Sequence, residues 1–240
     1  MDGIYYDFHM HSCLSPCSSD DMTPNDLVGM AMLGGLNAIA LTDHNSCRNV
    51  PAAAIAAERA GLIFVPGMEL ETSEAIHVVC LFREVAQAMA FSDEVYAALP
   101  PIKNRPEIYG NQLILNELDE EIGREEYLLV NSTAIGLYDV PPLCKQYGGI
   151  AILAHIDRHS NGVLGILGDI TPDMGYHLAE VSQNASAADY AARFPFLHFI
   201  SDSDSHDLLS IAEPSERNFL QGNFHSAADV VDSLEKLLFL

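Results

Sequence analysis

The stretch DFHMHS sets two imidazoles, His9 and His11, two residues apart directly behind the apolar run IYYDF. On an extended chain successive side chains point to opposite faces, so both rings share one side while Met10 turns to the other. That spacing suits a pair of metal ligands. Further along, Asp43 and His44 stand in TDHN, Glu69 in PGMELE, His77 in AIHVV, His155 in LAHIDR, and Asp204 and His206 in SDSDSH. Imidazoles and carboxylates together form a ligand set for zinc, manganese or iron, and several carboxylate-bridged ions can share such a pocket. A single histidine is more often an ordinary core or surface residue. The recurrence of such residues beside apolar runs is what points to a metal centre.

Those runs have an order that can bring distant residues together. Short, β-rich apolar segments recur at residues 4–8, 38–42, 62–65, 76–82, 150–154, 178–181 and 197–200. His9 and His11 follow the first, Asp43 and His44 the second and Glu69 the third. His155 closes the fifth, and Asp204 and His206 lie just beyond the seventh. His77, near the start of its own run, is the exception. Helical patterns separate most of the runs: Thr23-Pro24-Asn25-Asp26 offers a capping hydroxyl and a first-turn proline, with a stop at Gly34-Gly35. Further helices are predicted from Pro51 to Ala60 and from Ser226 to Leu237. Strands alternating with helices, and apolar throughout, predict a parallel sheet covered on both faces. About seven such units suit a barrel, whose C-terminal strand ends meet at one mouth. Residues 83–147 depart from the alternation and read as a mostly helical insertion within a single domain spanning 1–240.

The composition is compatible with this reading. The chain has 240 residues, 49% of them hydrophobic, enough to bury one sizeable core. A formal charge of −23, from 11 Lys and Arg against 34 Asp and Glu, opposes long nucleic acid and anionic membranes as partners. No run of apolar residues reaches membrane-spanning length, and the N-terminus lacks a basic, apolar leader, so a cytoplasmic protein is expected. The five cysteines, odd in number and not densely patterned, are expected to be reduced.

In order, HMHS, TDHN, GMELE, the lone histidine of AHIDR, and SDSH resemble the successive motifs of the PHP family, the polymerase and histidinol phosphatase domains. The resemblance spans His9 to His206 and implies a distorted seven-stranded β/α barrel, a TIM-like fold, with a trinuclear metal centre at the C-terminal mouth. It also implies hydrolysis of phosphate esters. His9 and His11 would then hold one ion with Asp204 and a bridging Glu69. His77 and His155 would hold a second with the other oxygen of Glu69, and His44 and His206 a third. The third ion takes a further ligand from the loop after the histidine pair. Here that loop reads SCLSPCSSDDMTP, longer than the family pattern; Asp20 is the expected ligand, with Asp21 and the softer Cys13 and Cys17 as alternatives.

Asp43 would either orient the His44 ring or cap the turn after its strand, Asp202 would do similar work, and Glu71 and Glu74 would be solvated. The expected nucleophile is a hydroxide held between two ions. Arg158 is placed either to fork onto a phosphate or to form a salt bridge at the rim. His159 is the candidate for protonating a leaving group, while His177, His198 and His225 are read as structural or solvent-facing. The charge favours a small phosphorylated metabolite or nucleotide as substrate. Hydrolysis of a C–N or carboxylic ester bond, and non-catalytic binding of metal or ligand, are the alternatives.

Overall fold

Apolar runs in this chain become strands with little wet surface. The computed structural model describes residues 3–237. Its strands are β1 (Gly3–Asp7), β2 (Ala38–Leu41), β3 (Ile63–Glu71), β4 (His77–Phe82), β5 (Leu113–Leu115), β6 (Glu121–Arg124), β7 (Gly149–Leu153), β8 (Leu178–Glu180), β9 (His198–Ile200) and β10 (Phe219–Gln221). The helices are α1 (Pro24–Gly34), α2 (Val50–Ala60), α3 (Val85–Ala97), α4 (Pro106–Tyr109), α5 (Val140–Gln146), α6 (Val163–Leu167), α7 (Ala187–Ala191) and α8 (Ala227–Lys236). β2 is buried at every position, and β4 at every position after His77.

Eight strands form one curled sheet in the order β10-β1-β2-β3-β4-β7-β8-β9, and β5 and β6 form a separate hairpin. Neighbours are parallel from β1 to β3 and from β7 to β9, but β4 runs antiparallel to both β3 and β7, and β10 antiparallel to β1. The all-parallel, seven-stranded expectation is thus corrected to an eight-stranded mixed sheet. The reason is connection length: Glu71 and His77 pair directly, and the few residues between them cannot make the crossover that a parallel neighbour needs. Beyond β1 and β9 the two ends of the curl approach each other, where Met10 bridges Ser205 and the His11 N–H donates to the Ser205 carbonyl at 3.0 Å.

One apolar cluster joins α8 to alternate strand residues such as Tyr6, Ala40, Val79 and Ile152; a second, larger cluster joins the sheet to residues of α1, α2, α3 and α5. Helix α1 is capped by Thr23, whose side chain accepts from the Asp26 N–H, and stops at Gly35, whose φ of 91° suits a residue without a Cβ. Ser226 caps α8 in the same way.

The segment between β4 and β7 is not mostly helical. Its acidic run folds as the β5–β6 hairpin because Asn116 Oδ1 accepts from the N–H groups of both Leu118 and Glu120, closing a turn that competes with helix. Asp119 in that turn has a φ of 59°.

Candidate metal centre

His9 and His11 emerge from the end of β1 fully buried, on the side away from Met10, which enters the core. Glu69 lies within β3 rather than beyond it, because β3 runs nine residues and overshoots its neighbours. His77 opens β4. Since β4 is antiparallel, its first residue shares a mouth with the last residues of β1, β2 and β3, and the exception in the sequence pattern disappears. His155 follows β7 and Asp204 follows β9, with φ of 27° and 53°. Such conformations cost on the order of 1–3 kcal/mol each and persist where surrounding contacts hold them.

Five imidazoles converge on the Glu69 carboxylate: His9 Nε2 at 3.1 Å, His11 Nε2 at 3.4 Å, His44 Nδ1 at 3.0 Å, His77 Nδ1 at 2.9 Å and His155 Nε2 at 3.1 Å. Asp204 Oδ1 stands 3.3 Å from His9 Nε2 and 3.0 Å from His11 Nε2. The far nitrogens of three rings are engaged elsewhere. His9 Nδ1 donates to Glu180 Oε2 at 2.6 Å, His11 Nδ1 meets Ser15 Oγ at 3.2 Å, and His77 Nε2 lies 3.4 Å from Glu71 Oε2. Those outer partners fix the tautomers and turn the remaining lone pairs toward the carboxylates.

Donor sets within reach of a shared ion are His9, His11, Glu69 and Asp204; His44, Glu69 and His77; and His11, His44 and His206. Buried atoms without a hydrogen-bond partner include His9 Nε2, His44 Nδ1, Glu69 Oε2 and His155 Nδ1. His9 Nε2 and His44 Nδ1 thus aim at Glu69 oxygens and stay unsatisfied in a buried site, an arrangement that fits cations between them. His77 and His155, expected to share one oxygen of Glu69, both face its Oε1, with ring centroids 5.3 Å apart, while His44 and His11 face Oε2.

Burial by itself would push the Glu69 carboxyl up, but the facing imidazoles of His77, His9 and His44 hold it well below its ordinary value. Asp204 is likewise held down against its burial, by His9 and His11. Burial drives His11 well below the usual imidazole value, reinforced by His206 and His44, whereas the carboxylates Glu180, Glu69 and Asp204 outweigh burial at His9 and raise it. Asp202 is pushed well up by burial and by the nearby Glu180 and Asp7.

The surrounding shell was only partly legible. Glu180, at the end of β8, was not anticipated, although an acid closing an apolar strand was a visible signal. Glu71 is 7% exposed, accepts from the Ser132 hydroxyl at 2.7 Å and lies beside His77, correcting its assignment to solvent. Asp43 accepts from the Ser12 N–H and from the Ser12 and Ser15 hydroxyls, so it braces the loop behind His11. Asp202 accepts from the Phe8 N–H at 2.6 Å.

Arg158 stands at the lip of a cavity of about 100 Å³, which is lined by His44, Glu69, His77, His155, Ser160, Asn161, Asp204 and His206 as well. Its Nη1 meets Asp204 Oδ2 at 2.5 Å. His159 is exposed and does not line the cavity, so the structure does not bring it to the site. Asp20 and Asp21 are exposed too, and Asp20 Oδ2 accepts from Asn111 Nδ2 at 2.6 Å, away from the cluster. Cys13 is buried, with its thiol pushed up to about 12 by burial and Asp43. Cys17 differs: against the effect of burial, the His206 and His44 side chains bring its thiol down to about 6. All five cysteines are free.

A curled α/β sheet that gathers six imidazoles and two carboxylates at one mouth defines a metal-binding barrel-like fold. The PHP domain model matches residues 7–202, and the chain belongs to that family. PHP domain proteins are metal-dependent hydrolases acting on phosphoester bonds.

A 5'-3' exoribonuclease of Haemophilus influenzae is 35% identical over 79 residues, covering 32% of this chain and 28% of the relative. A Salmonella typhimurium counterpart matches over 29% of its length, so the matched segments span under a third of these curated relatives. Among solved structures, the lesion-specific endonuclease PfuEndoQ of Pyrococcus furiosus aligns with a TM-score of 0.64 at 17% identity, covering 86% of this chain and 49% of its own. A Bifidobacterium adolescentis protein, described provisionally as a metal-dependent phosphoesterase, aligns with a TM-score of 0.61 at 16% identity, covering 97% of this chain and 95% of its own.

The exclusion of long nucleic acid is corrected by these findings, since the curated relatives and the endonuclease are named for nucleic-acid cleavage. Net charge describes the far field, and bound cations invert it locally. Among the described residues, no helix is long and apolar enough to cross a membrane.

Proposed function

We propose that this chain is a metal-dependent phosphodiesterase that cleaves nucleic acid near a strand end. The observation that carries the reading is the set of buried imidazole lone pairs aimed at Glu69 and Asp204 beside an open cavity with Arg158 at its lip. Divalent ions bound there supply Lewis acidity and water activated near neutral pH. His9, His11 and Asp204 would hold one ion, His77 and His44 a second, and Glu69 would contribute an oxygen to each, with His155 beside it.

The remaining chemistry belongs to side chains. Glu180, Ser15 and Glu71 keep the rings in the ligating orientation, and the buried walls limit competing water. Arg158, whose side chain is 44% exposed, can turn from Asp204 to a phosphate and complement charge that grows in the transition state. A cavity of about 100 Å³ has room for a phosphate group but not for a duplex, which favours a terminal or unpaired linkage. The acidic surface agrees with a grip on few phosphates, for which affinity depends only weakly on salt.

The test uses protein stripped by chelator and reloaded with manganese or zinc, offered linear single-stranded RNA, its circular form, DNA and an aryl phosphate. Release of nucleotides from linear RNA, with the circle resistant, is the expected result. Turnover of the aryl phosphate alone would replace this reading with hydrolysis of a small phosphorylated molecule. Metal-loaded protein that cleaves neither RNA nor DNA overturns it.

A further inference from the structure

Apart from the imidazoles and carboxylates of the metal centre, the cavity at the mouth is lined by Arg158, Ser160 and Asn161. All three come from the turn between β7 and α6, so this turn is what a substrate meets beyond the ligand cluster. They offer different chemistry. The Arg158 guanidinium is cationic and suits a phosphate. Ser160 is exposed, and its hydroxyl can rotate to give or to accept a hydrogen bond, so it carries little selectivity. Asn161 is half-buried and held in one orientation.

The hold acts on main chain and side chain alike. Asn161 adopts the left-handed backbone, with φ of 60°, and its carbonyl accepts from the His77 N–H at 2.9 Å. Its Nδ2 donates to the Ala75 carbonyl at 3.1 Å. Beside it the turn is wound so tightly that a Cβ on Gly162 would fall 2.5 Å from the Arg158 carbonyl oxygen and 2.9 Å from that of His155. With Nδ2 committed, the amide oxygen is left without a partner among the described residues. That oxygen accepts only, so it opposes phosphate oxygens and suits a donor beside a phosphate. In nucleic acid the hydroxyl nearest a bridging phosphate is the ribose 2′-hydroxyl, on the carbon next to the one that bears the 3′-oxygen, and DNA lacks it. A cavity of about 100 Å³ admits a phosphate and the sugar atoms beside it while the base stays outside.

We propose that Asn161 selects ribose over deoxyribose by accepting a hydrogen bond from the 2′-hydroxyl next to the phosphate in the cavity. The inference rests on the nucleic-acid reading above and names the sugar that reading leaves open. On a deoxy strand the amide oxygen faces an aliphatic carbon and stays unpaired, a loss of about 10-fold in kcat/KM at a half-open site.

The experiment gives metal-loaded protein a linear RNA and the same strand carrying 2′-deoxy or 2′-fluoro at the nucleotide whose 3′-oxygen belongs to the cleaved linkage. It reads the ratio of kcat/KM between the RNA and each analogue. Both members of a pair meet the same preparation, so the ratio cancels any loss of metal or of folded protein. Wild type should prefer ribose by about 10-fold over both analogues, because fluorine cannot donate. Asn161→Gly, which keeps the left-handed backbone, should erase the preference. Asn161→Asp keeps an acceptor and should retain it, and Ser160→Ala should keep the wild-type ratio. Equal rates on the three strands in wild type, a preference that survives in Asn161→Gly, or one lost in Asn161→Asp or Ser160→Ala overturns the role of Asn161 while nucleic-acid cleavage stands. Protein that cleaves no strand defeats both readings.

Discussion

Two buried polar regions lie close together in this protein and solve their hydrogen bonding in opposite ways. Behind the mouth, Asn45, Asn49 and Gln112 are each fully buried, and their amides are spent on backbone groups and, for Asn49, on the Ser12 hydroxyl as well. Gln112 Nε2 donates to the carbonyls of Glu125 and Tyr127 at 3.1 and 2.8 Å, and its Oε1 accepts from the Leu129 N–H at 2.9 Å. Asn45 and Asn49 tie the same segment to β3 and to the loop after β1. At the mouth, Glu69 meets five imidazoles with two oxygens, and lone pairs remain without donors. One network is closed by the protein; the other is complete only with cations. Unfilled valence, more than burial or charge, separates a site from a scaffold.

The sharpest way to break this contrast is Glu69→Gln, which keeps shape and removes the shared anion. Metal content by elemental mass spectrometry should fall, and turnover should drop by roughly 10³-fold or more, about 4 kcal/mol of barrier, while circular dichroism stays native. Retained metal and turnover would mean that the mouth is as self-sufficient as the amide network. The reciprocal change, Gln112→Ala, strands three backbone groups. It should cost about 3 kcal/mol of stability, seen as a fall in Tm of roughly 5–10 °C, with the ions per chain unchanged.

The contrast also explains what could be read from the sequence. His9 and His11, His44, Glu69, Asp204 and His206 were visible because short motifs at the ends of apolar runs carry a spacing signal. His77 looked anomalous only because strand direction is set by the Glu71–His77 connection, and periodicity does not report direction. Glu180 goes unread and Glu71 reads as solvated because a single carboxylate on or beside a strand has no partner in sequence, only in space. The hairpin of β5 and β6 escaped notice because Asn116 closes a turn inside an acidic run that otherwise reads as helix. Nucleic acid was excluded from a net charge of −23, a quantity that averages over the whole surface and says nothing about a pocket lined by metal ligands.

A smaller effect tests whether the outer partners belong functionally to the mouth. Glu180→Gln keeps an acceptor for His9 Nδ1 but removes its charge. Metal affinity should weaken by about 10–100-fold, measured by competition with a chromophoric chelator, while Tm of the stripped protein changes little. An unchanged affinity would place Glu180 with the scaffold.

The smallest expected effect comes from the scaffold's outer edge. Asp119 sits in the turn of the β5–β6 hairpin, where its Oδ2 accepts from the Thr23 hydroxyl at 2.7 Å and its Oδ1 from Asn25 Nδ2 at 2.9 Å, at the start of α1. A negative charge there also complements the positive end of the helix dipole. Asp119→Asn tolerates the same left-handed backbone and keeps one acceptor oxygen of the two in use, so the charge and one accepted hydrogen bond are lost. The cost should be at most about 1 kcal/mol and should shrink in high salt, because exposed electrostatics are screened. The loop carrying Cys17 lies between this contact and the imidazoles, which makes the variant a test of independence. Unaltered metal content would show that the hairpin secures α1 without tuning the site; a loss of ions would join the two networks into one.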